Sequence, residues 1–149
     1  MGEQVRTARP DDAEAISQVI LSALRESNAR DYPPAVIEQV AANFSPRAVA
    51  VLLEQRTVLV AELGGQVVAT ASLDGEVVRS VFVAPTHQGR GVGQQLMAAI
   101  ETLARSRGVA LLSVPSSVTA EPFYARLGFT AVREVLHDEE RTIVMQRVL

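Results

Sequence analysis

The chain has 149 residues, 48% hydrophobic and 21% charged, with 14 Lys and Arg against 17 Asp and Glu. That length and balance describe one globular domain with a full core, and a net charge of −3 argues against nucleic acid or an anionic membrane as a partner. The absence of cysteine excludes disulfides, thiolate metal sites and an acyl-cysteine intermediate.

Met1-Gly2-Glu3-Gln4-Val5-Arg6 carries no basic-then-apolar leader, and Arg6 stands where a myristoylation signal requires Ser or Thr. No apolar run approaches the length of a membrane span, so the expectation is a cytoplasmic protein. Gln4 to Ala8 reads as a short strand. Pro10-Asp11 then opens a helix, with Asp11 as N-cap and Glu14 completing a capping box. Ile16, Val19, Ile20, Ala23 and Leu24 give that helix one apolar face. After a break at Asn28 to Asp31, Tyr32-Pro33-Pro34 leads into a second helix over about Ala35 to Phe44. Ser45-Pro46 starts a third, to about Gln55, with proline in the first turn.

The pattern then changes to alternation. Thr57 to Leu63, Gln66 to Leu73 and Glu76 to Val83 read as an antiparallel meander, turned at Gly64-Gly65 and Asp74-Gly75. Pro85 ends the third strand. A long helix follows from about Gly91, with Val92, Leu96, Ile100 and Leu103 as its buried stripe. Arg105, Arg107 and Gly108 mark its C-terminus. Val109 to Val114 is a strand parallel to Glu76–Val83 by the crossover rule. A short helix covers about Ala120 to Leu127, and Phe129 to Leu136 with Thr142 to Val148 close the chain as a hairpin around His137 to Glu140.

The chemistry lies where the third strand meets the long helix. The first amides of a helix have no intrahelical partner and carry the positive end of its dipole, and glycines let a phosphate approach them without meeting a Cβ. Gln88-Gly89-Arg90-Gly91-Val92-Gly93 therefore reads as an anion site suited to a pyrophosphate. It is no P-loop, since no Gly-Lys pair exists, and no third glycine falls at the G-x-G-x-x-G spacing. What remains is Q-x-x-G-x-G at Gln88, Gly91 and Gly93. Downstream stands Ser117-Val118-Thr119-Ala120-Glu121-Pro122-Phe123-Tyr124-Ala125-Arg126-Leu127-Gly128-Phe129.

These two segments, in this order, resemble the acyl-CoA signature and the N-x-x-A-x-x-[FL]-Y-x-x-x-G-F segment of the GCN5-related N-acetyltransferase (GNAT) superfamily. The resemblance covers about Glu76 to Arg133, and Ser117 replaces the family's asparagine. It implies an α/β (α+β) fold in a single N-acetyltransferase domain over residues 1–149: a mixed, largely antiparallel sheet with flanking helices and a splayed parallel strand pair. Pantetheine would lie in the splay, along Val81, Phe82 and Val83 on one strand and Leu112 to Val114 on the other. There it would satisfy backbone groups that lack a ladder partner. Gln88, Gly89, Arg90, Gly91, Val92 and Gly93 would hold the pyrophosphate through backbone amides. The Arg90 side chain either adds charge there or is a solvated loop residue.

The implied reaction moves an acetyl group from acetyl-CoA, with no metal, to a primary amine of a small molecule or peptide. Tyr124 is the candidate general acid for the departing thiolate, its other reading being a tyrosine packed beside the cofactor without transferring a proton. It shares a helix face with Ala120 and Gly128, turned away from the core-facing Phe123 and Leu127. Glu76 is the candidate for accepting the amine proton, its other reading being a polar residue at an exposed strand end; Glu62 is a weaker alternative. His87 in the turn reads as structural or phosphate-side. The acceptor pocket would be bordered by Asn28 to Arg47 and by His137 to Arg141. Their Asp31, Asp138, Glu139 and Glu140 either point weakly to a cationic acceptor or, as charge runs more often are, are simply solvated. The resemblance also admits a homodimer, and a competing reading is a CoA-binding sensor without catalysis.

Overall fold

The computed structural model describes residues Gln4–Leu149; the reading of Met1 to Glu3 as free of a targeting signal lies outside them. Seven strands form one sheet: β1 (Gln4–Thr7), β2 (Thr57–Leu63), β3 (Gln66–Asp74), β4 (Val77–Val83), β5 (Leu111–Ser117), β6 (Thr130–His137) and β7 (Glu140–Val148). Their order across the sheet is β1-β2-β3-β4-β5-β7-β6, and every pairing is antiparallel except β4 with β5. Five helices flank it: α1 (Ala13–Glu26), α2 (Pro34–Ala41), α3 (Pro46–Gln55), α4 (Val92–Ser106) and α5 (Glu121–Arg126).

Strand alternation sends side chains to two separate cores. Ala69, Ala71 and Leu73 of β3 face α4, where Leu96, Met97 and Ile100 meet Leu112, Val114 and Met145. On the other face Val58 and Val60 pack with Ile16, Ile20 and Leu24 of α1, Ile37 of α2 and Val49 of α3. Ser45 caps α3 by accepting the Ala48 amide at 3.2 Å.

The start of α1 differs from the sequence expectation. Pro10–Asp12 forms a 3-10 turn, and Asp12 rather than Asp11 precedes α1; its carboxylate reaches back to accept the Arg9 amide at 2.7 Å instead of capping α1 itself. The Asp12 carboxylate is fixed there because the Arg6 guanidinium donates to both its oxygens, at 2.8 and 3.0 Å. Asp11 is exposed. The second turn of the meander is also displaced. Asp74 pairs with Val77, so the loop is Gly75-Glu76, with Gly75 supplying φ +62°.

The parallel pair supports the site. β4 and β5 pair only at Val77 and Ser113, where the Ser113 amide donates to the Glu76 carbonyl at 3.0 Å. Beyond that point the strands diverge. β5 extends past its expected end, through Pro115 to Ser117. Ser113 bonds toward β4, while Leu149 donates to Ala110 across the β5–β7 edge. By alternation the odd-numbered residues of β5 turn their backbone groups toward β4. The missing amide hydrogen of Pro115 therefore points into the gap, where no ladder partner exists to lose.

Candidate active site

The gap between β4 and β5 opens into a cavity of about 730 Å³ that passes through the sheet. The α4 face of this cavity is bordered by the glycine turn, Phe123 and Tyr124. The opposite face is bordered by the end of α1, by α2 and by Arg56. On β4, the Ala84 amide donates to the Val68 carbonyl of β3 at 2.8 Å. Alternation then turns the backbone of Phe82 toward β3 and that of Val83 toward the gap. Val81 lies on the gap side within a bulge, where Ser80 and Val81 together oppose Ala71. Val81 and the Val83 amide therefore face the cavity, while the Val83 carbonyl is taken by the Gln88 side chain. Phe82 contributes its ring, set edge-on to Phe44 with centroids 5.9 Å apart.

Gly89 and Gly91 both adopt left-handed backbone, at φ +76° and +82°, and an added Cβ would meet nothing within 4 Å at either. The first intrahelical bond of α4 runs from the Gln95 amide to the Gly91 carbonyl at 3.1 Å. The amides of Val92, Gly93 and Gln94 are left free to bind an anion. Gln88 holds the turn in place by donating its side-chain amide to the Val83 carbonyl at 3.1 Å and to Ser27 Oγ at 2.9 Å. Gly93 packs closely, since a Cβ there would lie 3.1 Å from the Phe123 ring, which would have to give by a few tenths of an ångström. Arg90 is exposed and is not part of the cavity wall. His87 Nδ1 bonds Thr86 Oγ1 at 2.8 Å. Ser117 accepts the Ala120 amide on Oγ at 3.1 Å, which turns the chain into α5. A turn-forming oxygen at this position is what the serine supplies.

Tyr124 is 3% exposed and packs against Phe123 and Phe129 at ring-centroid distances of 5.2 and 5.6 Å. The expected sharing of helix faces is therefore reversed: Tyr124 is the buried member of α5, and Phe123 and Leu127 are half-buried. The Phe129 amide donates to the Tyr124 carbonyl, folding β6 back over the ring. The Tyr124 hydroxyl makes no hydrogen bond among the described residues, yet the residue lines the cavity. Burial pushes its pKa up, which keeps the phenol protonated.

Glu76 is not brought to the site. It is exposed in the β3–β4 turn, at the joined end of the strands, whereas the cavity lies at the splayed end. Glu62 is bound to Arg6 at 2.8 Å on β2 and is also remote. Among the described residues the cavity wall holds one carboxylate, Glu140, and four arginines, Arg56, Arg79, Arg126 and Arg141. Of the two readings of those acidic residues, the solvated one holds for Asp138 and Glu139. Asp31 is spent on Thr119 at 2.7 Å, and Asp138 and Glu139 form the exposed β6–β7 turn.

Tyr32 was missed as a site residue. Its hydroxyl accepts the Val118 amide and donates to the Arg141 carbonyl, both at 2.8 Å, tying the α1–α2 connection to β5 and β7. Nothing local in Asp31-Tyr32-Pro33 signals those distant partners.

A strand-split cavity with a glycine-turned helix start on its rim defines an acyl-CoA-type transferase architecture. Comparisons with known proteins agree. Residues 25–147 match the acetyltransferase (GNAT) domain family, and the chain belongs to that family. It is 28% identical over 131 residues to YafP of Escherichia coli strain K12, described as an uncharacterized N-acetyltransferase, covering 88% of this chain and 83% of YafP. The crystal structure of a GCN5-related N-acetyltransferase from Rhodopseudomonas palustris superimposes with a TM-score of 0.93 at 29% identity, over 100% of this chain and 97% of that one. PaiA N-acetyltransferase from Thermoplasma acidophilum, solved with coenzyme A, shares the fold at 14% identity, with a TM-score of 0.86 and full coverage of both chains.

Proposed function

We propose that residues 1–149 form one N-acetyltransferase domain that carries an acetyl group from acetyl-CoA to a primary amine of a small molecule or peptide, by direct attack with both substrates bound. The observation that carries this reading is the β4–β5 gap. It offers unpaired backbone groups along its edges, free helix amides at one end and an unbonded phenol on its wall.

The residues fit the cosubstrate. The turn from Gln88 to Gly93 receives the pyrophosphate on its amides, with the left-handed glycines keeping side chains out of the way. Val81 and Val83 on β4, with Pro115 and Ser117 on β5, present the backbone groups that an amide-rich pantetheine arm can satisfy. Acetyl-CoA supplies an activated thioester. An alkylamine has a pKa of about 10, so its proton must leave before attack. It leaves to water at the cavity mouth, where Glu140 is the carboxylate on the wall. The amine nitrogen attacks the thioester carbonyl carbon; the C–N bond forms and the C–S bond breaks. Tyr124 gives its phenolic proton to the departing sulfur, and the second proton, lost by the nitrogen as the amide forms, passes through water to restore the phenol. Burial keeps the Tyr124 phenol protonated, so its proton is in place when the sulfur departs.

The test is thiol release from acetyl-CoA across amine classes: amino acids, peptide N-termini, polyamines and aminoglycosides. Turnover with at least one class supports the reading. Tight CoA binding without turnover in any class replaces it with a CoA-binding sensor.

A further inference from the structure

The cavity wall facing α1–α3 carries a cation that the proposed reaction does not use. Arg56 lies at the junction of α3 and β2 and is half-buried. Arg79 pairs with Asp74 at 3.2 Å and Arg141 pairs with Glu134 at 2.6 Å, whereas Arg126 is exposed on α5. Among the described residues Arg56 has no carboxylate within 4 Å. Its Nη1 reaches two hydroxyl oxygens instead, Ser80 Oγ at 3.1 Å and Ser72 Oγ at 3.5 Å.

The two serines are unequal. Ser72 Oγ donates to the Arg79 carbonyl at 2.7 Å, so its proton is committed. Ser80 Oγ donates to nothing among the described residues and keeps a proton available. Ser80 is also held at φ +55°, a left-handed conformation that non-glycine residues rarely adopt. The bulge in β4 imposes it, and the result is a hydroxyl beside Arg56 next to the cofactor edge at Val81 and Val83. Burial and the neighbouring Arg79 press the Arg56 pKa downward, and Asp74 opposes them. A bound anion would relieve that cost. On the same face of the sheet Phe44 and Phe82 present an apolar surface to the cavity, with Val36 and Ile37 beneath.

We propose that the amine acceptor carries a carboxylate, bound by the Arg56 guanidinium and the Ser80 hydroxyl, and an apolar side chain lying against Phe44 and Phe82: an α-amino acid with an apolar side chain. The assignment rests on the acetyltransferase reading of the cavity. It deepens that reading by choosing among amines that the reaction alone does not distinguish. A guanidinium fork matches a carboxylate in two parallel hydrogen bonds, and a polyamine would meet repulsion there.

The experiment compares leucine, phenylalanine and methionine with their C-terminal amides, and with spermidine, in wild type, Arg56→Gln and Arg56→Lys. In wild type the free amino acids should show kcat/KM at least tenfold above their amides and above spermidine. Arg56→Gln should bring the acid-to-amide ratio near one, chiefly through KM, and Arg56→Lys should retain an intermediate preference. CoA affinity by calorimetry should be equal in all three proteins, which also reports that they are folded. A wild type that prefers amides or spermidine, or an Arg56→Gln protein with an unchanged ratio, overturns the proposal. If no amine is turned over, the acetyltransferase reading fails, and the anion site is judged separately by binding of N-acetyl-leucine to the CoA complex. Binding at least tenfold weaker in Arg56→Gln supports the site, and absence of binding to wild type refutes it.

Discussion

The sharpest consequence of the glycine turn concerns Gly91. Its backbone is at φ +82° and an added Cβ would meet nothing within 4 Å, so the structure itself leaves room for a side chain there. The only intramolecular cost is conformational, about 1–2 kcal/mol for alanine and less for asparagine, which tolerates left-handed backbone. For a domain of this size that lowers Tm by no more than about 8 °C. In the proposed complex this free space is where a phosphate would sit to meet the Val92 and Gly93 amides. Gly91→Asn fills it and disrupts at least one charge-assisted hydrogen bond, worth about 1.5–3 kcal/mol. CoA affinity should fall about 10- to 150-fold. Gly75→Asn is the matched control: φ +62°, equally open, but in the β3–β4 turn away from the cavity. Calorimetric titration with CoA, alongside thermal melts, reads both effects. A Gly91→Asn protein that binds CoA within twofold of wild type refutes the phosphate assignment, as does equal weakening in Gly75→Asn.

Three other outcomes follow from the site and its surroundings. Tyr124→Phe removes a hydroxyl with no intramolecular partner, so stability should hardly change while kcat falls roughly 10²-fold and CoA affinity is kept; a fully active variant would reduce Tyr124 to packing. Initial-rate lines at several acceptor concentrations should intersect, because zero cysteines and direct attack leave no acyl-enzyme; parallel lines with a covalent mass gain from acetyl-CoA alone would overturn the route. Arg6 holds the Asp12 carboxyl at about 2, below its ordinary 3.8, so this stabilisation is complete above about pH 4 and disappears as pH falls toward 2. Arg6→Gln should cost about 3 kcal/mol at pH 7 and flatten the loss of stability over that window in urea melts; an unchanged acid slope would show that the pair is not responsible.

The meander was legible because Gly64-Gly65 and the adjoining alternation are local signals, and the glycine turn because strand, glycines and helix are contiguous. Other features depend on what lies across space. Pro115 reads as the end of a strand, and β5 continues through it only because its neighbour has diverged. Asp11 reads as the N-cap because Glu14 follows three residues on; in the structure Arg6 on β1 instead holds Asp12, which precedes α1 and accepts the Arg9 amide. Glu76 looks like part of β4 until the pairing of Asp74 with Val77 assigns it to the turn. Helical spacing put Tyr124 on the wrong face because α5 is short and Phe129, just before β6, closes over it. Arg56, Ser72 and Ser80 come from three elements, and no periodicity links them.

The single β4–β5 bridge makes the sheet two halves joined by one stitch. On the α4 face a continuous apolar cluster crosses the join. On the opposite face the crossing contacts are polar, through Tyr32 and through Asp31 with Thr119. A ligand lying in the gap and bonding to both edges would act as an eighth strand. Amide exchange along β5 and β7 should then slow on CoA binding far from any atom of the nucleotide, and unfolding should become more cooperative as the two halves are made to open together.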